Sequence, residues 1–174
     1  DYAGSTVHTV QFLPGTPPGK PYQLQGMTDM IQNSINNLEY MLTSAIRRAT
    51  QNKKPRIGFL QGHGELTYGN TQRLRSLVAP FYALADVTIN DSLAALDNFD
   101  GLIIARPRSS FSDKDLYIID QFVMRGGRLM CFLDALALNE DTLNAKGTTH
   151  TTRLNTGLDK MLFDYGLKLN ENYV

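Results

Sequence analysis

Residues 101–134 read GLIIARPRSSFSDKDLYIIDQFVMRGGRLMCFLD. An unbroken run, Gly101 to Ala105, is followed by a polar break, an amphipathic stretch and a second largely apolar run, Arg128 to Leu133. Short apolar runs bounded by turn signals suit strands covered on both faces. Between them Ser112 and Asp115 have the spacing of a capping box. Leu116, Ile119, Phe122 and Val123 then recur at helical steps, and Gly126-Gly127 supplies a stop. Strand, helix, strand in this order predicts parallel strands joined by a crossover helix.

The same alternation extends outward. Ile57 to Gln61 is a short strand, followed by a glycine-rich turn. Thr71 to Leu84 carries Leu74, Leu77, Val78, Phe81 and Tyr82 at helical spacing, with Pro80 expected to bend or end it early. Asp86 to Ile89 predicts another strand and Ser92 to Asn98 at most a short helix. Asn139 to Arg153 is polar, threonine-rich and aperiodic, hence a mobile loop. Thr156 to Tyr165 places Leu158, Met161, Leu162 and Tyr165 on one side of a last helix that stops at Gly166. These units predict a doubly wound, mainly parallel α/β sheet of flavodoxin-like or Rossmann-like layout.

Upstream the pattern differs. Val7 to Leu13 alternates as a strand, and Pro14 to Pro21 then breaks all regular structure with four prolines and two glycines. Met30, Ile31, Ile35, Leu38, Leu42, Ala45 and Ile46 form the stripe of a long helix, Thr28 to Ala49, with Arg47 and Arg48 at its C-terminal end. After it, Gln51 to Pro55 reads as a polar linker. Residues 1–52 are thus expected to be a strand-plus-helix appendage belonging to a preceding domain, and 53–174 the sheet domain, cut short at its C-terminus.

The 174 residues balance 17 lysines and arginines against 17 aspartates and glutamates, which gives no electrostatic footprint for nucleic acid or an anionic membrane. Hydrophobic residues at 42% and charged residues at 20% argue against disorder. The longest apolar stretches are about five residues, far below the roughly 20 a bilayer-spanning helix needs. A single cysteine, Cys131, excludes an intrachain disulfide and any multi-cysteine zinc site. The chain lacks an initiator methionine and a signal peptide, and Leu167 to Val174 starts an alternating stretch that has no cap. It therefore reads as a piece of a longer protein whose membrane anchor lies elsewhere.

Ligands in such sheets bind outside the carboxyl ends of the strands. Those ends offer Gln61, Gly62, His63, Gly64 and Glu65, then Arg106 and Arg108, then Asp134. His63, Glu65, Arg106 and Asp134 are the candidate ligand-binding set. GHGELTYG puts Thr67 where a dinucleotide fingerprint needs its third glycine, and no phosphate-loop lysine motif occurs. His63 and Glu65 are two potential metal ligands and Asp134 a third candidate, but zinc usually takes at least three protein ligands with ordered second shells, so a hydrogen-bonding or solvated role is expected for these loop residues instead. Cys131 lies inside RLMCFLD rather than at a glycine-flanked elbow, which suits an inert core residue better than a nucleophile. Arg106-Pro107-Arg108 suits an anion clamp or, more simply, pairing with a nearby carboxylate. No catalytic residue, metal or cofactor is expected.

The succession SINNLEYMLTSAIRRAT (34–50), KKPRIGFLQGHGEL (53–66), FDGLIIARPRSSFSDKDLYIIDQFVMRGGRLMCFLDAL (99–136) and LDKMLFDYGLKLN (158–170) resembles the GldG-type gliding-motility auxiliary proteins of ABC transporters. The resemblance implies the periplasmic, extracytoplasmic part of a membrane-anchored component of Bacteroidetes-type bacteria, working with a permease and a cytoplasmic ATPase. It also implies a sheet domain similar to class I glutamine amidotransferase-like and ThuA-like proteins, although the amidotransferase elbow cysteine has no counterpart here. The expected function is a non-catalytic interaction module whose partners are the permease and associated motility proteins. A solute-binding domain using the strand-end crevice is the alternative, and a hydrolase using His63 with Glu65 or Asp134 a more distant one.

Overall fold

The computed structural model describes residues 25–51, 53–138 and 151–170. The chain divides into two compact units, Asp1–Lys54 and Pro55–Val174. The strand expected at Val7 to Leu13 and most of the loop expected at Asn139 to Arg153 lie outside the described residues.

In the first unit the expected long helix is two segments, α1 (Gln25–Asn36) and α2 (Leu38–Thr50). Asn37, at φ −97° and ψ 0°, leaves helical geometry between them. The hydrogen-bond ladder nevertheless runs through it: Asn37 N–H donates to Asn33 O at 3.0 Å, and Met41 N–H donates to Asn37 O at 2.9 Å. The Asn37 side-chain amide also donates to Asn33 O at 2.8 Å, a local competition with the backbone to which asparagine is prone. No residue of α2 is buried.

The second unit is built on four parallel strands: β1 (Arg56–Leu60), β2 (Ala83–Val87), β3 (Gly101–Ala105) and β4 (Arg128–Phe132). Their order is β2-β1-β3-β4. Chain order reverses direction between β1 and β3, so the fold is doubly wound with its switch point there. Helix α3 (Tyr68–Val78) joins β1 to β2, and α4 (Asp113–Met124) joins β3 to β4. α3 stops two residues before Pro80, whose ring cannot continue a helix, and β2 consequently starts three residues earlier than the sequence pattern suggests. Residues 92–98 form turns rather than a helix.

Side chains of β1 and β3 alternate between the two faces. Leu60, Leu102 and Ile104 pack with Ile118, Ile119 and Phe122 of α4 and with Leu158 and Met161 of α5 (Leu158–Asp164). Phe59, Ile103 and Ala105 pack on the other face with Leu66, Leu74 and Leu84. All five residues of β3 are buried, as its unbroken apolar run implies. β4 is different. Leu129 and Cys131 turn toward the α4 side, but Met130 and Phe132 are 52% and 43% exposed. The expectation of a strand buried on both faces therefore fails at β4. It is an edge strand, and within the Pro55–Val174 unit no described helix lies over its second face.

After β4 comes a small antiparallel pair, β5 (Leu136–Leu138) with β6 (Thr151–Arg153), which the aperiodic sequence did not signal. The last helix opens at Gly157 (φ +83°) and ends at Gly166 (φ +81°), both left-handed conformations that glycine adopts without strain. Among the described residues no helix is long and apolar enough to cross a membrane.

Candidate functional site

The loops leaving β1 and β3 meet at the switch point, and main-chain hydrogen bonds hold them together. Leu66 N–H donates to Ala105 O at 2.9 Å. The amides of Arg108 and Ser109 both donate to His63 O at 2.8 Å. The first loop turns this sharply because Gly62 (φ +123°) and Gly64 (φ +74°) lie in left-handed space, and a Cβ on Gly64 would sit 3.0 Å from Arg108 Cβ. Across the gap Arg106 itself adopts φ +56°, an uncommon conformation for a residue carrying a side chain. Its own N–H donates to Phe132 O at 2.8 Å, which ties it to the edge strand.

Glu65 is drawn fully inside by this turn. Its Oε2 accepts the His63 backbone N–H at 2.7 Å, while Oε1 lies 3.4 Å from His63 Nδ1. Neither Glu65 Oε1 nor His63 Nδ1 has a hydrogen-bond partner, and both atoms are buried. His63 Nε2 faces Asp115 Oδ2 at 3.3 Å, and the imidazole stacks on the Phe111 ring at 3.8 Å between centroids, 14° from parallel. Asp115 belongs to the first turn of α4. Ser112 caps that helix by accepting the Asp115 N–H at 3.1 Å, and its hydroxyl donates to Asp115 Oδ2 at 2.8 Å. The imidazole is thus held between two carboxylates on different elements, against an aromatic face.

The other two candidates form a second pair. Arg106 Nε donates to Asp134 Oδ2 at 2.5 Å, and the Arg108 guanidinium reaches the same oxygen at 3.5 Å. These groups are more open than the histidine cluster, with side chains 35–40% exposed. The structure therefore brings His63 to Glu65 and Arg106 to Asp134. The histidine's remaining partner is Asp115 rather than Asp134. Sequence reasoning had absorbed Ser112 and Asp115 into helix capping and passed over Phe111. The available signal was that a capping aspartate at the helix start stands beside the strand ends of a doubly wound sheet.

Chemically, this arrangement holds the imidazole in place. Both ring nitrogens of His63 are directed at carboxylates, and only 12% of its side chain is exposed. Among the described residues no three side chains of His, Cys, Asp or Glu converge to hold a metal ion. Burial pushes the Cys131 thiol up to about 11, which suits a core residue rather than a nucleophile.

No curated protein matches the chain. A solved structure titled mmIFT52 N-terminal domain is similar at 19% sequence identity, with a TM-score of 0.42, over 45% of this chain and 35% of that one. A family model described as ABC-type uncharacterized transport system matches residues 54–174, which include the whole sheet and the strand-end loops. The chain belongs to this family of transport-system auxiliary components.

Proposed function

We propose that the chain is a non-catalytic interaction module of its ABC transport system, linked to gliding motility. In this reading it acts on the periplasmic face, anchored through membrane segments outside these residues, and it contacts the permease and associated motility proteins. The observation that carries the reading is the internal bracing of the strand-end groups. His63 is engaged by Glu65, Asp115 and Phe111, and Asp134 by Arg106 and Arg108. Groups fixed in this way define a rigid surface. General acid–base chemistry needs a group free to reach a reacting atom. The test is a pull-down from membranes with the anchored full-length protein. Permease subunits should co-purify, and their absence under conditions that preserve the transporter would refute the reading.

One observation favours a second reading, solute binding. The crevice lies at the switch point, where ligands of doubly wound sheets sit, and it contains two buried polar atoms without hydrogen-bond partners. A thermal-shift screen with sugars, peptides and small anions decides this. A ligand at 100 times its Kd adds about 2.7 kcal/mol of stability, and a flat response across the screen counts against a solute.

A further inference from the structure

We propose that His63 is a proton-operated strut that locks the loop after β1 onto the start of α4. The argument is one of donor and acceptor counting. Nδ1 faces Glu65 Oε1 at 3.4 Å and Nε2 faces Asp115 Oδ2 at 3.3 Å. An ionised carboxylate only accepts, and a neutral imidazole has a single N–H to give. With one proton, one of the two contacts sets a nitrogen lone pair against a carboxylate oxygen in a site where water barely reaches. With two, Nε2 donates to Asp115 Oδ2 and the positive Nδ1 end lies at ion-pair distance from Glu65 Oε1, so the repulsive contact becomes an attractive one. The Glu65 side chain is fully buried and its Oε1 has no hydrogen bond, so a protonated imidazole with Nδ1 3.4 Å away supplies the nearby positive charge this atom otherwise lacks.

The surroundings leave the ring little freedom to swing away. Glu65 projects from the same loop, its second oxygen fixed by the His63 N–H. Asp115 projects from α4 and is held by the Ser112 hydroxyl. Phe111 covers one face of the imidazole. Arg108 donates its main-chain N–H to His63 O, while its guanidinium reaches Asp134. The sign follows directly: as long as both carboxylates are ionised, the strut is complete with the doubly protonated imidazole and is lost as the ring sheds its second proton on raising the pH. Its loss weakens the docking of one switch-point loop on the other, so the shape of the crevice responds to proton concentration. The device belongs to the fold and not to any partner, so its failure would leave the interaction reading standing, and the converse holds too.

The reporters are the Arg108 and Ser109 amides, both bonded to His63 O. Amide exchange should be followed by NMR across pH on the whole chain, corrected for the intrinsic rate, with the His63 ring resonance marking its own titration. Protection at both amides should fall about tenfold as the ring loses its proton, the scale of one charge-assisted hydrogen bond. In His63→Gln, which cannot titrate, it should stay flat over the same range. Should that variant fail to fold, Asp115→Asn serves instead: it preserves the cap but removes one acceptor charge, and the fall should shrink to about threefold or less, roughly half of the logarithmic effect. Constant protection in the parent chain while the ring titrates would overturn the proposal. So would an unchanged fall in either variant.

Discussion

Gly64 is where local geometry and the crevice depend on one residue. Its φ of +74° is strained for any L side chain, and an added Cβ would press on Arg108 Cβ at 3.0 Å. Gly64→Ala should therefore lower unfolding stability by about 1–3 kcal/mol in urea titration. The loss should come with disturbed Arg108 and Ser109 amide resonances, because both report on His63 O. Cys131 gives a pH prediction. Burial holds its thiol at about 11 against an ordinary 9.0, so the neutral form persists where a free cysteine would ionise. At pH 8 the reactive thiolate is about one part in a thousand, and alkylation of the folded chain should be correspondingly slow and rise steeply only toward pH 11. In urea the same thiol should react at the rate of an ordinary cysteine. Equal rates in both states would contradict the burial. Residue-level chemistry was partly legible: the glycine-rich turn, His63, Glu65, Arg106 and Asp134 stand out in the sequence. That His63 faces Asp115 was not, since the two are 52 positions apart and only the sheet topology brings them together.

At the level of elements, the strongest sequence signals were those with a local physical cause. Ser112, Asp115 and the Gly126-Gly127 stop predicted α4, and the structure has Asp113–Met124 capped by Ser112. Ser112→Ala should cost about 1 kcal/mol, measured by urea unfolding, because an N-terminal amide of α4 loses its acceptor. It should also release Asp115 Oδ2 from the hydroxyl and shift the His63 ring resonances, whereas a helix cap with no link to the crevice would leave them in place. Elements set by competition were less legible. Pro80 warned that α3 ends early, yet the start of β2 depends on where the chain rejoins the sheet, and Ala83 N–H pairs with Pro55 O across it. The break at Asn37 is a single-residue departure inside a continuous apolar stripe, which periodicity does not register. β5 and β6 are three residues each and carry no pattern long enough to read.

For the molecule as a whole, the α/β class followed from the order of apolar runs and amphipathic stretches, and the sheet order β2-β1-β3-β4 confirms it. What the sequence could not give was coverage. β3 and β4 have similar apolar runs, yet one is buried throughout and the other half exposed, because exposure depends on which helices lie over a strand. That difference has a colloidal consequence. Among the described residues β4 has a partner on one side only, and its outer margin offers free amides and carbonyls flanked by Met130 and Phe132. Such a margin can recruit a neighbouring molecule's backbone, and lysine is the usual natural guard against it. At high concentration, light scattering from this chain should grow with time. Met130→Lys should delay that growth while leaving the unfolding midpoint nearly unchanged, so that shelf life in solution is set by one uncovered ribbon rather than by the strength of the core.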